Sequence, residues 1–181
     1  MSGGKKILFQ LTGSIACYKS AQVISALVQE GHEVQTVATT SALKFIGKAT
    51  LEGLTGRPVF TDNFEDGRMM GHIDWAKWAD LAIVCPATAN TLNSLAAGLA
   101  SDCIGTLFLA YDLKKPYLVA PAMNQQMWNH PATQHSLERL KNFGVTILPS
   151  GFGHQACGDV GPGRLLEPDV IHEWIRKEIH P

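Results

Sequence analysis

Apolar residues along the chain fall into short dense blocks that alternate with longer stretches of helical periodicity. Lys5 to Thr12 carries Ile7, Leu8, Phe9 and Leu11 between Gly4 and Gly13, too short for a helix and continuous enough for a strand buried on both faces. After a glycine turn at Gly13-Ser14, the residues Ile15, Val23, Ile24, Leu27 and Val28 fall mainly on one helical face before Gly31. Glu33 to Ala38 repeats the strand pattern and runs into Thr39-Thr40-Ser41, ahead of a short helix over Ala42 to Ile46. Leu51 to Gly56 predicts a helix ended by glycine, Pro58 to Phe60 a brief extended piece, and Asp62 to Gly71 a polar loop. Asp80 to Cys85 is the next buried strand, with the helix of Leu92, Leu95, Ala96 and Leu99 behind it. Ile104 to Tyr111 reads as a helix, Tyr117 to Ala120 as a strand, and Ala132 to Phe143 as a helix that Pro131 opens and Gly144 closes. Val145 to Leu148 reads as the last central strand, and Pro168 to Ile179 as a closing helix with Val170, Ile171, Trp174, Ile175 and Ile179 on its inner stripe.

Strands and helices in alternation predict an α/β fold: a doubly wound, Rossmann- or flavodoxin-like parallel sheet in three layers, α/β/α, forming a single domain over residues 1–181. Ligands of such sheets bind in the crevice beyond the carboxyl ends of the strands, so the residues that follow each strand come first for function. The first strand delivers Gly13-Ser14-Ile15 to a helix N-terminus, whose unpaired amides and dipole favour a phosphate. The second delivers the hydroxyls of Thr39 and Ser41, which suit either a helix cap or one terminal phosphate. A dinucleotide is disfavoured, because the loop is not G-x-G-x-x-G and no carboxylate closes the second strand. Two further strands end in proline and an asparagine-bearing turn, PATANT at Pro86 to Thr91 and PAMNQQMW at Pro121 to Trp128. Asn124 suits a helix cap, and its amide also offers a donor and an acceptor to a ligand. The glycine-rich stretch of residues 150–166 suits a surface loop or a flexible flap over a site.

Composition narrows this picture. A net charge of -1 gives no electrostatic case for nucleic acid or an acidic membrane, which leaves a small molecule or another copy of the chain as partner. The N-terminus shows no signal-peptide pattern and no apolar run reaches transmembrane length, so a soluble, cytoplasmic protein is expected. Cys17, Cys85, Cys103 and Cys157 are widely spaced without a C-x-x-C pair, which suggests free thiols and neither a metal site nor a disulfide framework.

Gly13-Ser14-Ile15-Ala16, Thr39 to Phe45, Gly71-His72-Ile73, PATANT, PAMNQQMW and ACGDVGPGR (Ala156 to Arg164) occur in the order and approximate spacing of a known family. The chain resembles the homo-oligomeric flavin-containing cysteine decarboxylases over nearly its whole length. That resemblance implies FMN at a subunit contact, its phosphate near Gly13, Ser14, Ile15, Thr39 and Ser41. Thr88, Ala89, Asn90 and Thr91 would hold the ribityl chain or the ring system, with Met123 and Phe45 packed nearby. It implies His72 as the active-site histidine and Asn124 as the ligand of the substrate carboxylate. Cys157 would be the cysteine of the substrate flap, with Met127, Ala156 and Gly158 beside the substrate. A carboxylate next to a cysteine side chain has no electron sink, so the thiol must first be oxidised to a thioaldehyde before carbon dioxide leaves.

Within the family, a flap cysteine that can act as an acid in a final reduction favours the branch acting on 4'-phosphopantothenoylcysteine in coenzyme A biosynthesis. The alternatives are the branch that oxidatively decarboxylates peptidyl cysteines and a non-catalytic, FMN-binding regulatory subunit. A flavin prenyltransferase would not be expected to carry PAMNQQMW or the cysteine flap, and an electron carrier of flavodoxin type would be expected to be acidic. The resemblance further implies a trimer or a dodecamer. The chain is too short for the fused ligase of many bacterial relatives, which leaves open whether a separate phosphopantothenoylcysteine synthetase is a partner. Gln155 and Leu165 depart from the family's flap pattern, where a smaller or apolar residue and a methionine are usual.

Overall fold

A computed structural model describes residues 3–62 and 70–179. Of the polar loop expected over Asp62 to Gly71, residues 63–69 lie outside the described residues. The centre is a five-stranded parallel sheet with the order β2-β1-β3-β4-β5. Its strands are β1 (Lys6–Leu11), β2 (Glu33–Ala38), β3 (Leu81–Ala87), β4 (Tyr117–Pro121) and β5 (Thr146–Ile147). Ile7, Phe9 and Gln10 of β1 sit opposite Val34, Thr36 and Val37 of β2 on one side and Leu81, Ile83 and Val84 of β3 on the other. β3 and β4 are most legible in the sequence because both their faces are covered and nearly every position is apolar, whereas β2 carries Glu33, Gln35 and Thr36.

Successive side chains of a strand point to opposite faces, and the core divides accordingly. Ile7, Phe9 and Leu11 pack with Ile24 and Leu27 of α1 (Cys17–Gln29) and with Ile171 and Ile175 of α8 (Pro168–Ile179). Leu8, Val84 and Val119 face the other layer, where Leu92 and Leu95 of α4 (Ala89–Ala97), Ile104 and Leu107 of α5 (Cys103–Ala110), and Leu137 and Leu140 of α7 (Pro131–Asn142) meet them. Each such large side chain, removed from water, contributes about 1.5–3 kcal/mol. The remaining helices are α2 (Lys48–Thr55), which ends at the left-handed Gly56 with φ 66°, α3 (Gly71–Trp78) and α6 (Gln125–Asn129). A short 3-10 turn over Ala42–Lys44 replaces the helix expected to Ile46.

Several expectations are corrected. Ile15 precedes α1, in the turn after β1, and is 60% exposed rather than on the helix's inner face. Leu99 lies beyond α4, which stops at the left-handed Gly98, and is exposed. Val170 is 39% exposed, because the buried stripe of α8 runs through Ile171, Ile175 and Ile179, spaced four apart. β5 is a two-residue edge strand, not a central one, since its only sheet neighbour is β4. The glycine-rich stretch is an antiparallel ribbon of β6 (Gly151–His154) and β7 (Val160–Arg164) rather than an irregular loop.

The ribbon is fastened to the segment after β4. Met123 N donates to Gly163 O at 2.8 Å, and a Cβ on Gly163 would stand 2.6 Å from Met123 O. Gly163 also has φ 108°, so glycine is required twice, by the close approach and by the backbone conformation.

Candidate functional site

Beyond the carboxyl edge of the sheet lies a cleft of about 790 Å³, a volume typical of cofactor and substrate sites. Its walls are the ends of four parallel strands, and the ribbon forms its lid. Gly13, Ser14 and Ile15 follow β1, and Thr39 and Ser41 follow β2. Thr88, Ala89, Asn90 and Thr91 follow β3, while Met123, Asn124 and Met127 follow β4. Ala156 and Cys157 come from the turn between β6 and β7.

The first two strand ends form a compact polar cradle. A Cβ on Gly13 would meet Ser41 Cβ at 2.6 Å, so only glycine lets these loops approach so closely. Ser14 Oγ accepts from Ala16 N at 3.2 Å and Thr39 Oγ1 from Ala42 N at 3.1 Å. Both hydroxyls therefore cap their own loops and keep their hydrogens available for a ligand. The cap and ligand readings of these residues are compatible rather than alternative. Thr12 locks the cradle to the next loop, donating to Pro86 O at 2.6 Å and accepting from Thr88 N at 3.1 Å. Thr88 in turn caps α4, accepting from Thr91 N at 3.3 Å.

Asn124 also serves twice. Its Oδ1 accepts from Gln126 N at 2.7 Å and caps α6, while Nδ2 donates to Asp159 Oδ2 at 2.9 Å and to Cys157 Sγ at 3.2 Å. The ribbon is held over it by Gln155, whose Oε1 accepts from Gln125 N at 3.1 Å and whose Nε2 donates to Pro162 O at 2.8 Å. The departure at Gln155 is thus an anchor: its long amide reaches backbone groups that a small apolar residue could not.

Lys19 is 4% exposed and lines the cleft. Its Nζ donates to Leu165 O at 3.2 Å and to Glu167 Oε1 at 2.9 Å, and Arg164 reaches the same carboxylate at 2.9 Å. The Lys19 hydrogen bond holds the Glu167 carboxyl below its ordinary range. A depressed carboxyl stabilises the fold above the unfolded value, and that contribution is lost as pH falls through the folded value. Glu167 is largely exposed, so the contribution is small.

The cleft wall of one chain does not include Phe45, His72 or Gly158. Phe45 is 49% exposed, at the end of the 3-10 turn. His72 lies in the first turn of α3, on the layer shared with α5, with a buried Nδ1 that has no hydrogen-bond partner among the described residues. Sequence reasoning missed Thr12, Tyr18, Lys19 and Asp102, which also line the cleft. Lys19 had a signal, since it stands four residues before Val23 on the inner face of α1.

Cys17, Cys85 and Cys103 are buried, and Cys157 is exposed. Burial raises all three internal thiols, Cys85 and Cys103 to about 12, so they stay protonated and inert. A thiol-directed alkylating reagent should therefore label one cysteine per native chain. Peptide mapping should place it at Cys157; rapid labelling of Cys17 or Cys85 would contradict this packing. Among the described residues no group of three or more His, Cys, Asp or Glu could hold a metal ion, and no helix is long and apolar enough to cross a membrane.

The family model for Flavoprotein matches residues 1–180. The chain belongs to the Flavoprotein family. As a member, it is 46% identical over 173 residues to the coenzyme A biosynthesis bifunctional protein CoaBC of Vibrio parahaemolyticus, a match covering 93% of this chain and 43% of that protein. The chain thus spans less than half the length of the curated relatives it matches. Among solved structures it resembles a cysteine-to-serine mutant of PPC decarboxylase complexed with pantothenoylaminoethenethiol, with TM-score 0.88 and 32% identity over 98% of this chain and 100% of that one. It also resembles the FMN binding protein AtHal3, with TM-score 0.80 and 33% identity over 96% of this chain and 95% of that one. The flavodoxin-like α/β fold is shared with these neighbours.

Proposed function

We propose that the cleft binds FMN and decarboxylates 4'-phosphopantothenoylcysteine to 4'-phosphopantetheine, a step of coenzyme A biosynthesis. The observation that carries this reading is the meeting of Asn124 and Cys157 on a cleft that the Gly13, Ser14, Thr39 and Ser41 cradle also lines. Family membership, the CoaBC relatives and the solved neighbours support it.

The residues present fit FMN. The close approach of Gly13 to Ser41, with the Ser14 and Thr39 hydroxyl hydrogens beside the N-terminus of α1, suits a terminal phosphate. Thr88, Asn90 and Thr91 would hold the polar middle of the cofactor, and Met123 would pack against its ring. When bound, FMN supplies the oxidation of the substrate thiol and the later return of the hydrogen to carbon.

The chain's own residues do the rest. Asn124 Nδ2 orients the substrate carboxylate, so the bond that breaks is held in one geometry. The ribbon covers the cleft and excludes water while the sulfur-stabilised carbanion exists. Cys157 Sγ gives a proton to the enethiol carbon in the final reduction.

His72 belongs to the same proposal through a second copy. Ile15, Tyr18 and Met127 expose large apolar surface while lining the cleft, and Phe45 does so nearby. A homo-oligomer, trimer or dodecamer, would cover these side chains, and the histidine of a neighbouring copy would complete the site. A phosphopantothenoylcysteine synthetase is the partner activity that supplies the substrate.

The reading is tested by incubating FMN-loaded protein with phosphopantothenoylcysteine and, in parallel, with a peptide ending in cysteine. Carbon dioxide should come from the first alone; release from the peptide alone would move the assignment to the peptide-modifying branch. Gly13→Ala should weaken FMN binding roughly tenfold, a cost of about 1.4 kcal/mol for pushing the two loops apart. Flavin fluorescence titration checks this, and unchanged affinity would remove the cradle from the cofactor site.

A further inference from the structure

The amide nitrogen of Asn124 already donates to a carboxylate, and that carboxylate belongs to the chain itself. Asp159 Oδ2 lies 2.9 Å from Asn124 Nδ2, while Asn124 Oδ1 is committed to capping α6. Cys157 Sγ sits 3.2 Å from the same nitrogen and donates to Asp159 Oδ2 at 3.4 Å. Amide, thiol and carboxylate thus close a triangle at the mouth of the cleft.

Asp159 stands at the exposed tip of the ribbon, just before β7. The tip is a tight turn, with Gly158 N donating to Gln155 O at 2.9 Å and Gln155 N donating to Asp159 O at 2.8 Å. Below it, the Gln155 side chain and the Met123–Gly163 hydrogen bond fix the ribbon to the chain after β4. The base is therefore pinned and the tip bears the displaceable group. Both hydrogens of the Asn124 amide are engaged, by Asp159 Oδ2 and by Cys157 Sγ, and a second carboxylate at hydrogen-bonding range of that nitrogen is repelled by the charge of Asp159.

We propose that Asp159 is a positioning residue that stands in for the substrate carboxylate. It occupies Asn124 Nδ2 while the cleft is free of substrate, yields it to the incoming carboxylate, and takes it again once that group has left as carbon dioxide. This rests on the reading of Asn124 as the carboxylate ligand. Two consequences follow from the triangle. A ligand with a carboxylate drives Asp159 off by charge repulsion, whereas one without it leaves Asp159 in place. The return of Asp159 also draws Cys157 back toward Asn124, so the proton donor arrives after decarboxylation rather than before it.

The test uses FMN-loaded full-length protein and two unreactive ligands. One is 4'-phosphopantothenoylserine, which keeps the carboxylate and replaces the thiol by a hydroxyl; the other is its decarboxylated ethanolamine counterpart. Their dissociation constants are measured calorimetrically for the wild type, Asp159→Asn and Asp159→Ala. The charge-assisted hydrogen bond is exposed, so its removal should tighten binding of the serine ligand roughly three- to tenfold in Asp159→Ala, with Asp159→Asn intermediate. The ethanolamine ligand should bind all three proteins alike. Unchanged binding of the serine ligand overturns the proposal. A parallel change for both ligands also overturns it, by showing a merely structural role. If the wild type and Asp159→Ala alike bind the two ligands with equal affinity, the reading of Asn124 falls and takes the placeholder with it.

Discussion

Asn124→Asp is expected to leave the fold intact and lower kcat/KM by about a hundredfold or more. Aspartate caps a helix as well as asparagine does, so α6 keeps its first turn, and the new repulsion with Asp159 falls on the exposed tip of the ribbon rather than on the core. What disappears is the donor: Nδ2, now 2.9 Å from Asp159 Oδ2 and 3.2 Å from Cys157 Sγ, becomes an oxygen with a negative charge. A substrate carboxylate would then face repulsion where it had a hydrogen bond, a difference on the order of 3 kcal/mol. Asn124→Ala is the informative companion, since it loses the cap as well, at about 1 kcal/mol of stability. Steady-state kinetics beside thermal unfolding separates the two effects. Full activity in Asn124→Asp would place the carboxylate elsewhere.

Cys157→Ser is expected to split the reaction. The serine hydroxyl fits the same place beside Asn124 and Asp159, so oxidation and loss of carbon dioxide should proceed. A hydroxyl is a much poorer acid than a thiol, and proton donation from a positioned group contributes about 10²–10⁴ in rate. The reduction should therefore stall and the enethiol accumulate, visible as a product two hydrogens lighter than the saturated thiol, a mass difference of about 2 Da for the dehydrogenated substrate carbons. Complete turnover to the saturated product would remove Cys157 from the chemistry.

The sheet was legible because β1, β3 and β4 are covered on both faces and read as dense apolar blocks, broken within β1 only by the buried Gln10. β5 misled by its flanks: Val145 and Leu148 are buried, but only Thr146 and Ile147 pair with β4. The ribbon was hidden because its pairing rests on backbone approach at glycines such as Gly163, which leave no alternating apolar pattern to read. Strand ends announced most of the cleft, as parallel topology requires, and Asn124 stood out as a strand-end amide. Thr12 and Lys19 did not, because their roles come from partners far along the chain, Pro86 and Thr88 for one, Leu165 and Glu167 for the other. His72 and Phe45 entered only through resemblance, and a single chain keeps both off the cleft wall.

Mass spectrometry of the product formed from 4'-phosphopantothenoylcysteine by the FMN-loaded protein tests the central claim most directly. The account predicts a product lighter by one carbon dioxide with both hydrogens restored, that is, 4'-phosphopantetheine. Unchanged substrate, or an unsaturated enethiol as the final product of the wild type, would contradict it.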